Sequence, residues 1–197
     1  MLTTVNEKVK VNSFGKKDKF LRITGTTIQF KNKQIQREEI TEIIYDVHII
    51  VFYRFSVGRR YYIGLRTPTQ QLDLVFKSFF GLSLDYFTEL CNRITEEIWE
   101  KTTDKIWAEN KKLLLAGKAV HVGNCQISKK GMVLTKQQKH IGWENLHYEV
   151  LHDRLVINHS ADSSIWTNLY FENTWNIDIL IALLDWITKD NGLAEMP

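Results

Sequence analysis

One strand-turn-strand segment of this chain occurs twice, and that repeat limits the possible folds more than any other feature. Residues 25–40 align without a gap with residues 131–146, at an offset of 106 positions. The aligned pairs include Gly25 with Gly131, Ile28 with Leu134, Lys33 with Lys139, Ile35 with Ile141, Glu38 with Glu144 and Ile40 with Leu146. Each copy has the pattern of a strand, a tight polar turn and a second strand. A repeat at this spacing predicts two domains of similar architecture.

The first copy closes with the pattern of an amphipathic helix. Apolar residues between Leu84 and Ile98 recur at helical spacing, and Ser83 is placed to cap the helix. The helix is predicted over about residues 83–103. Because no Gly or Pro occurs between Ser83 and Ala116, the helix could also extend to about residue 111 and couple the two domains stiffly.

The second copy closes in the same way. A helix is predicted over about residues 174–190, with Asn173 or Thr174 as its cap and Asp190-Asn191-Gly192 as its stop signal. The two helices place the domains at residues 1–103 and 104–197.

The segments between these elements predict about seven antiparallel strands in each copy. In the first copy eight extended segments fit this count approximately, at 9–14, 20–24, 27–31, 34–37, 40–45, 48–57, 61–66 and 71–76. Gly58-Arg59 is expected to form the turn after the strand at 48–57. The second copy offers about seven shorter strands between Leu113 and Phe171. The fold class is therefore mainly β with C-terminal helices, an α+β protein.

Composition and termini favour a cytoplasmic globular protein. Of the 197 residues, 44% are hydrophobic and 12% aromatic, far too many for a disordered chain. The longest nearly apolar stretch, Ile177–Ile187, is too short to span a bilayer. The N-terminus lacks the pattern of a secretory signal, and two cysteines, Cys91 and Cys125, are too few for a disulfide framework. Two free thiols and no signal fit a bacterial cytoplasm, with a peripheral position at the membrane as an alternative.

The order of elements resembles the pleckstrin-homology-like (PH-like) superfold, in its bacterial PH-like and GRAM-like forms. The resemblance rests on two acidic-apolar turns, Arg37-Glu38-Glu39-Ile40 and Trp143-Glu144-Asn145-Leu146, each followed at a distance by a helix. It implies a tandem of two antiparallel β-barrel or sandwich domains, each of about seven strands capped by one helix. Another all-β barrel with a helix on each half remains open.

The sequence carries no recognisable catalytic or cofactor chemistry. It contains neither a Gly-rich phosphate loop nor a nucleophile elbow. His140, His147, His152 and His159 have spacings that match neither a strand nor a helix periodicity for neighbouring metal ligands. We therefore expect a protein that is not an enzyme and has neither a cofactor nor a metal.

A basic cluster in the first third of the chain is the strongest candidate ligand site. Residues 1–66 hold 13 basic and 6 acidic residues, although the whole chain has a net charge of only +3, which does not favour nucleic acid as a partner. Between the first two predicted strands lie Lys16, Lys17, Lys19 and Arg22, and Arg54, Arg59 and Arg60 could add to them. In PH domains that bind phosphoinositides, this first loop carries the phosphate ligands, so the resemblance implies an anionic ligand here.

The second predicted helix suggests an interface, because it is apolar on more than one face. The candidate interface residues are Ile179, Leu183, Trp186 and Ile187, and their partner is either the first domain or another subunit. Two functions follow from the sequence. One is a non-enzymatic scaffold that binds a protein or itself through sheet edges and helix grooves. The alternative is a peripheral module that binds anionic lipid or phosphate ligands through the Lys16–Arg22 loop.

Overall fold

A computed structural model describes residues 5–190 and 192–196, with Glu100 described for its backbone only. The chain divides into two compact units, Met1–Thr102 and Thr103–Pro197. They are called unit 1 and unit 2 below, and each is described by itself.

Unit 1 contains two antiparallel meanders. Its strands are β1 (Val5–Val9), β2 (Lys19–Ile23), β3 (Thr27–Phe30), β4 (Lys33–Gln36), β5 (Glu42–Phe52), β6 (Phe55–Arg66) and β7 (Gln71–Phe79). β1 to β4 form one sheet in chain order and β5 to β7 form another, with a 3₁₀ turn (Arg37–Glu39) between them. Apolar residues alternate along these strands, so that one face of each sheet is buried in the core.

Helix α1 (Leu84–Leu115) begins in unit 1 and extends into unit 2. Its buried residues in unit 1 recur every three or four positions, and Phe87 packs on Phe76 with ring centroids 6.2 Å apart. The helix extends beyond both predicted ends, residues 103 and 111, because nothing interrupts it before Gly117. There φ is +73°, and the amide of Lys118 donates back to the Leu113 carbonyl, an arrangement that glycine permits at a helix end.

Unit 2 has the same order of elements. Its strands are β8 (Val120–Val122), β9 (Cys125–Ser128), β10 (Gly131–Leu134), β11 (Lys139–Ile141), β12 (Leu146–Val150), β13 (Arg154–His159) and β14 (Trp166–Tyr170). β8 to β11 and β12 to β14 form two antiparallel sheets, separated by a 3₁₀ turn (Trp143–Asn145). The helices α2 (Ile177–Thr188) and α3 (Gly192–Glu195) close the unit.

The predicted cap of the second helix was wrong. The N-cap position of α2 belongs to Asn176, whose φ of 59° is left-handed, and neither Asn173 nor Thr174 occupies it. The helix ends at Thr188 and is followed by α3, where the sequence predicted one helix up to residue 190. Asn191 of the predicted stop signal lies outside the described residues.

The gapless alignment of the two repeat copies holds at one end only. The 3₁₀ turns begin 106 residues apart, at Arg37 and Trp143. However, Ile35 pairs with Ile28, whereas its counterpart Ile141 pairs with Met132 and not with the aligned Leu134. The β3–β4 turn has two residues and the β10–β11 turn has four, and this difference shifts the register.

The sheets differ from a barrel, and one predicted turn is misplaced. In the described part of the chain none of the four sheets is closed into a barrel, so the barrel form of the prediction was wrong. The β5–β6 turn lies at Tyr53-Arg54. Gly58, predicted to form that turn, lies within β6, where a Cβ atom would be 2.1 Å from the Ser78 carbonyl oxygen. Glycine is required at this position because the two strands approach each other closely, and not because the chain turns there.

Candidate functional site

The C-terminal end of β7 is flanked by two different segments of unit 1. On one edge it pairs with β6, the last pair being Gly58 with Phe79. On the other edge lies the segment between β1 and β2, where Asn12 forms a parallel bridge with Lys77. We call that segment, residues 10–18, the basic loop. Since adjacent strands lie about 4.8 Å apart, the basic loop and the β5–β6 hairpin occupy the same end of unit 1.

Ser13 fixes the basic loop in this position. Its amide donates to the Lys77 carbonyl at 3.1 Å, and its hydroxyl donates to the Leu82 carbonyl at 2.6 Å while accepting from the Phe79 amide at 2.9 Å. The next residue, Phe14, stacks on Phe79 with ring centroids 6.1 Å apart and remains 68% exposed. The loop is therefore held by main-chain and hydroxyl bonds, and its aromatic side chain is left largely in solvent.

The end of the β5–β6 hairpin is apolar and exposed. We call residues 47–57 the hairpin tip. On the core-facing side of β5, exposure rises from 2% at Ile43 to 40% at Val47 and 50% at Ile49. These residues keep the apolar alternation of a core strand beyond the point where the core ends. At the turn itself Tyr53 has a φ of 55° and is 87% exposed.

Exposed apolar side chains are concentrated at this end of unit 1. Among the side chains that the structure describes, twelve large apolar ones are exposed, and nine of them belong to the basic loop, the hairpin tip or the segment that leads into α1. The nine are Phe14, Val47, Ile49, Val51, Phe52, Tyr53, Phe55, Phe80 and Leu82. We call these three segments together the β7 end. Exposed apolar side chains gathered at one end of a unit mark an interaction surface more often than scattered ones do.

The structure places four of the predicted basic residues within unit 1 as follows. Lys16 and Lys17 are exposed in the basic loop, and the Lys17 ammonium lies 5.0 Å from the centre of the Tyr86 ring. Lys19, the first residue of β2, is paired with Asp18 at 3.3 Å, so its charge is largely offset. Arg22 is exposed three residues further along β2, opposite Gln29, and lies away from the loop.

The three arginines belong to the hairpin. Arg54 is exposed in the turn, and Arg59 is exposed on the side of β6 that carries the buried Tyr61. Arg60 is on the opposite side, with its guanidinium 5.0 Å from the centre of the Tyr62 ring. Three of the seven predicted basic residues, Lys16, Lys17 and Arg54, therefore lie at the β7 end. Arg59 and Arg60 lie next to it on β6, and Lys19 and Arg22 contribute less to it.

Sequence reasoning missed two parts of this site. Lys10 bonds the Ser83 hydroxyl, and its ammonium lies 5.0 Å from the Tyr86 ring centre, so it adds a charge beside Lys17. The sequence predicts the apolar hairpin tip as part of a regular strand, because it places the turn at Gly58-Arg59 and not at Tyr53-Arg54. One signal was available: the sequence has no Asp or Glu between Asp46 and Asp73.

The four predicted interface residues of α2 are all buried within the chain. Ile179, Leu183, Trp186 and Ile187 are between 0% and 5% exposed. Trp186 packs on Trp107 of the same unit, with ring centroids 6.4 Å apart. Their role in an intersubunit contact stays a prediction, and a partner would reach them only if the chain rearranged.

The remaining reactive groups do not form a site in the described residues. Cys91 and Cys125 are free and buried, and burial raises the pKa of each thiol to about 12. Across residues 5–190 and 192–196, His, Cys, Asp and Glu side chains do not gather in a group of three that could hold a metal ion. Within the same ranges, no helix has both the length and the apolar character needed to cross a bilayer.

Comparison with known proteins adds no relative. The chain matches no family model, no curated protein and no solved structure.

Proposed function

We propose that this protein is a peripheral membrane-binding module that docks on anionic lipid through the β7 end of unit 1. The observation that supports this most directly is the composition of that end. Nine exposed large apolar side chains lie beside exposed lysines and arginines, and residues 47–72 contain no carboxylate. A surface with this combination suits the boundary of a bilayer, where phosphates attract cations and the acyl region accepts apolar groups.

The proposal takes each unit to be a PH-like domain. Both units have a four-stranded meander, a 3₁₀ turn, a three-stranded meander and a helix, in that order. This order supports the resemblance stated from sequence, and the first loop of unit 1 is basic, as that resemblance implies. We propose that the protein has no catalytic activity of its own.

The electrostatic part of the binding is expected to be weak and salt-sensitive. Each lysine or arginine close to an anionic leaflet contributes about 1 kcal/mol, and this contribution falls off within a Debye length. Lys16, Lys17, Arg54, Arg59 and Arg60 are the residues placed to contribute. Asp18 reduces the effect of Lys19, with which it is paired.

The competing function is a scaffold that binds a protein or a second copy of the chain. The sequence predicts that contact at sheet edges, at helix grooves and at the candidate residues of α2, and the α2 residues are buried. A scaffold would therefore use a sheet edge, a helix groove or the β7 end. The scaffold function predicts association with a protein or a second copy in the absence of lipid, whereas the membrane function predicts binding to anionic vesicles.

Vesicle flotation of the full chain tests the proposal. The wild type is expected to float with phosphatidylcholine vesicles that contain about 30% phosphatidylserine at about 50 mM salt, and to be released at about 300 mM salt. A Lys16→Gln/Lys17→Gln variant is expected to bind about 30-fold more weakly, which is the loss of two charges at about 1 kcal/mol each.

The matched control is Lys31→Gln/Lys33→Gln, which removes the same charge. Both lysines lie at the β3–β4 turn, and Lys33 bonds the carbonyl of Gln71 at the opposite end of β7. The control is expected to float like the wild type. Equal losses in both variants would mean that net charge alone attracts the protein, and absence of flotation in the wild type would end the proposal.

A further inference from the structure

The hairpin tip extends beyond the sheet that supports it. The last β6–β7 pair is Gly58 with Phe79, whereas β5 and β6 stay paired as far as Phe52 and Phe55. With a rise of about 3.4 Å per residue, the two pairs beyond Gly58 extend about 7 Å past the third strand. An isolated two-stranded ribbon is only marginally stable in water, so an apolar one gains from a surrounding medium that covers it.

Exposed apolar side chains occupy both faces of this ribbon. Val51 lies on the core-facing side of β5, past the last β6–β7 pair, and is 59% exposed. Phe52 alternates with it and is 64% exposed, opposite Phe55 at 75%. A flat protein partner would cover one face of the ribbon, whereas lipid surrounds both faces. The distribution therefore favours lipid over a protein surface.

The charges and amphipathic groups are placed for an interfacial depth. Arg54 and Tyr53 are at the turn, and Arg59 and Arg60 lie on opposite sides of the ribbon near its base. A tyrosine ring and an arginine stem can lie among apolar groups while their polar ends stay at headgroup level. With no carboxylate between residues 47 and 72, insertion desolvates no side-chain anion in this segment.

We infer that the hairpin tip inserts into the headgroup and upper acyl region of an anionic bilayer, with Phe52, Tyr53 and Phe55 as its leading side chains. This inference rests on the proposed function and adds to it the depth of insertion and the segment that inserts. The basic loop brings the protein to the leaflet, and the hairpin tip holds it there. Part of the binding should then persist at high salt, because burial of apolar area is not screened.

A fluorescent reporter on the hairpin tip tests the insertion. Cys91 and Cys125 are both 0% exposed, so a thiol introduced as Tyr53→Cys can be labelled selectively with a polarity-sensitive dye. On binding anionic vesicles its emission is expected to shift to the blue, and lipids with a nitroxide near the headgroup should quench it. Asn32→Cys, exposed in the β3–β4 turn, is the matched position that should show neither effect.

A charge-preserving variant supplies the second measurement. Phe52→Ser/Phe55→Ser keeps every charge of the β7 end and removes two of the three leading rings. Its affinity for anionic vesicles is expected to fall at least about tenfold, and its residual binding should be fully released by salt. Comparison of the variant with wild type by circular dichroism separates loss of fold from loss of insertion.

The outcomes distinguish the two proposals. If the wild type floats with anionic vesicles but the label at position 53 stays in water, insertion is wrong and electrostatic docking stands. If the wild type does not float at all, the proposed function fails first. If the label shifts to the blue without vesicles and in proportion to protein concentration, a second copy covers the hairpin tip, and the lipid inference is overturned.

Discussion

Arg37 and Glu97 are sixty residues apart in sequence, and the guanidinium of Arg37 donates a hydrogen bond of 2.8 Å to the main-chain carbonyl of Glu97 in the middle of α1. A second nitrogen of Arg37 donates to the Thr24 carbonyl at 3.0 Å, in the β2–β3 turn. Trp143 holds the same position in unit 2, and its indole N–H donates to the carbonyls of Ser128 and Lys129 beside the β9–β10 turn. In both units the first residue of the 3₁₀ turn donates hydrogen bonds to main-chain carbonyls at an earlier turn, between β2 and β3 in unit 1 and between β9 and β10 in unit 2.

Arg37→Met is expected to destabilise unit 1 markedly. The side chain is only 8% exposed, so its removal leaves two carbonyl groups with one partner fewer in a largely dry site. Hydrogen bonds to charged groups contribute about 1.5–3 kcal/mol, and we expect a loss of about 2–3 kcal/mol in the free energy of unfolding, measured by urea denaturation. Arg22→Met, at an exposed position on β2, should cost less than about 0.5 kcal/mol. A similar loss for both variants would show that the buried bonds of Arg37 do not stabilise the unit.

Gly58→Ala is expected to lower the melting temperature. The added Cβ would lie 2.1 Å from the Ser78 carbonyl oxygen, and this atom belongs to the backbone of the paired strand. Overpacking of this kind costs about 1–3 kcal/mol, which corresponds to roughly 4–12 °C or more in a unit of about 100 residues. Ser56→Ala, at an exposed position in the same strand, serves as the control in thermal denaturation. An unchanged melting temperature for Gly58→Ala would mean that β6 and β7 separate at little cost.

The two thiols are expected to make stability fall at high pH. Burial raises the pKa of Cys91 and Cys125 to about 12 from an ordinary value of 9.0. Because the folded protein holds the thiol proton more tightly than the unfolded chain does, the free energy of unfolding is highest below the unfolded-state pKa. It falls as the pH rises from about 9 towards 12. Each thiol should then cost about 1 kcal/mol at about pH 10, measured by urea denaturation against a reference at about pH 8. The Cys91→Ala/Cys125→Ala variant should lose that part of the pH dependence, and an unchanged slope would contradict the assignment.

Lys111→Met is expected to weaken unit 2 modestly. The ammonium lies 4.5 Å from the centre of the Trp186 ring and 5.4 Å from that of Trp107, and it is paired with Glu195 at 3.2 Å. Cation–π contacts at partly exposed sites contribute about 0.5–1 kcal/mol, so we expect a loss of about 1 kcal/mol in urea denaturation. Lys112→Met changes the next residue of the helix, which is exposed, and should have almost no effect. Equal losses for the two variants would assign the effect to helix charge and not to the indole rings.

Much of the fold could be predicted because it depends on local periodicity. Helix α1 follows from the helical spacing of apolar residues from Leu84 to Ile98 and from the absence of Gly or Pro between Ser83 and Ala116. Most strands follow from the alternation of apolar residues. The hairpin turn could not be placed in this way. Tyr53 adopts a positive φ without the Gly or Asn that usually signals it, and Gly58 is required by the nearby Ser78 carbonyl.

The candidate site was predicted in its charges and missed in its apolar part. Lysines and arginines are visible as a cluster in the sequence whatever the fold. An apolar strand that ends in the core and one that continues past it look alike in sequence, as Ile43 and Val51 show. The difference depends on where β7 ends, at Phe79, and that is set by its pairing with β6.

Helix α1 also determines where the chain can be divided for study. The boundary between the two compact units falls between Thr102 and Thr103, inside a helix of 32 residues. A cut there would break the main-chain bonds of about four residues on each side and leave both new ends without caps. Fragments that end near Gly117, or that begin near Ser83, would keep the helix whole. Expression of either half therefore calls for shared residues in the two fragments.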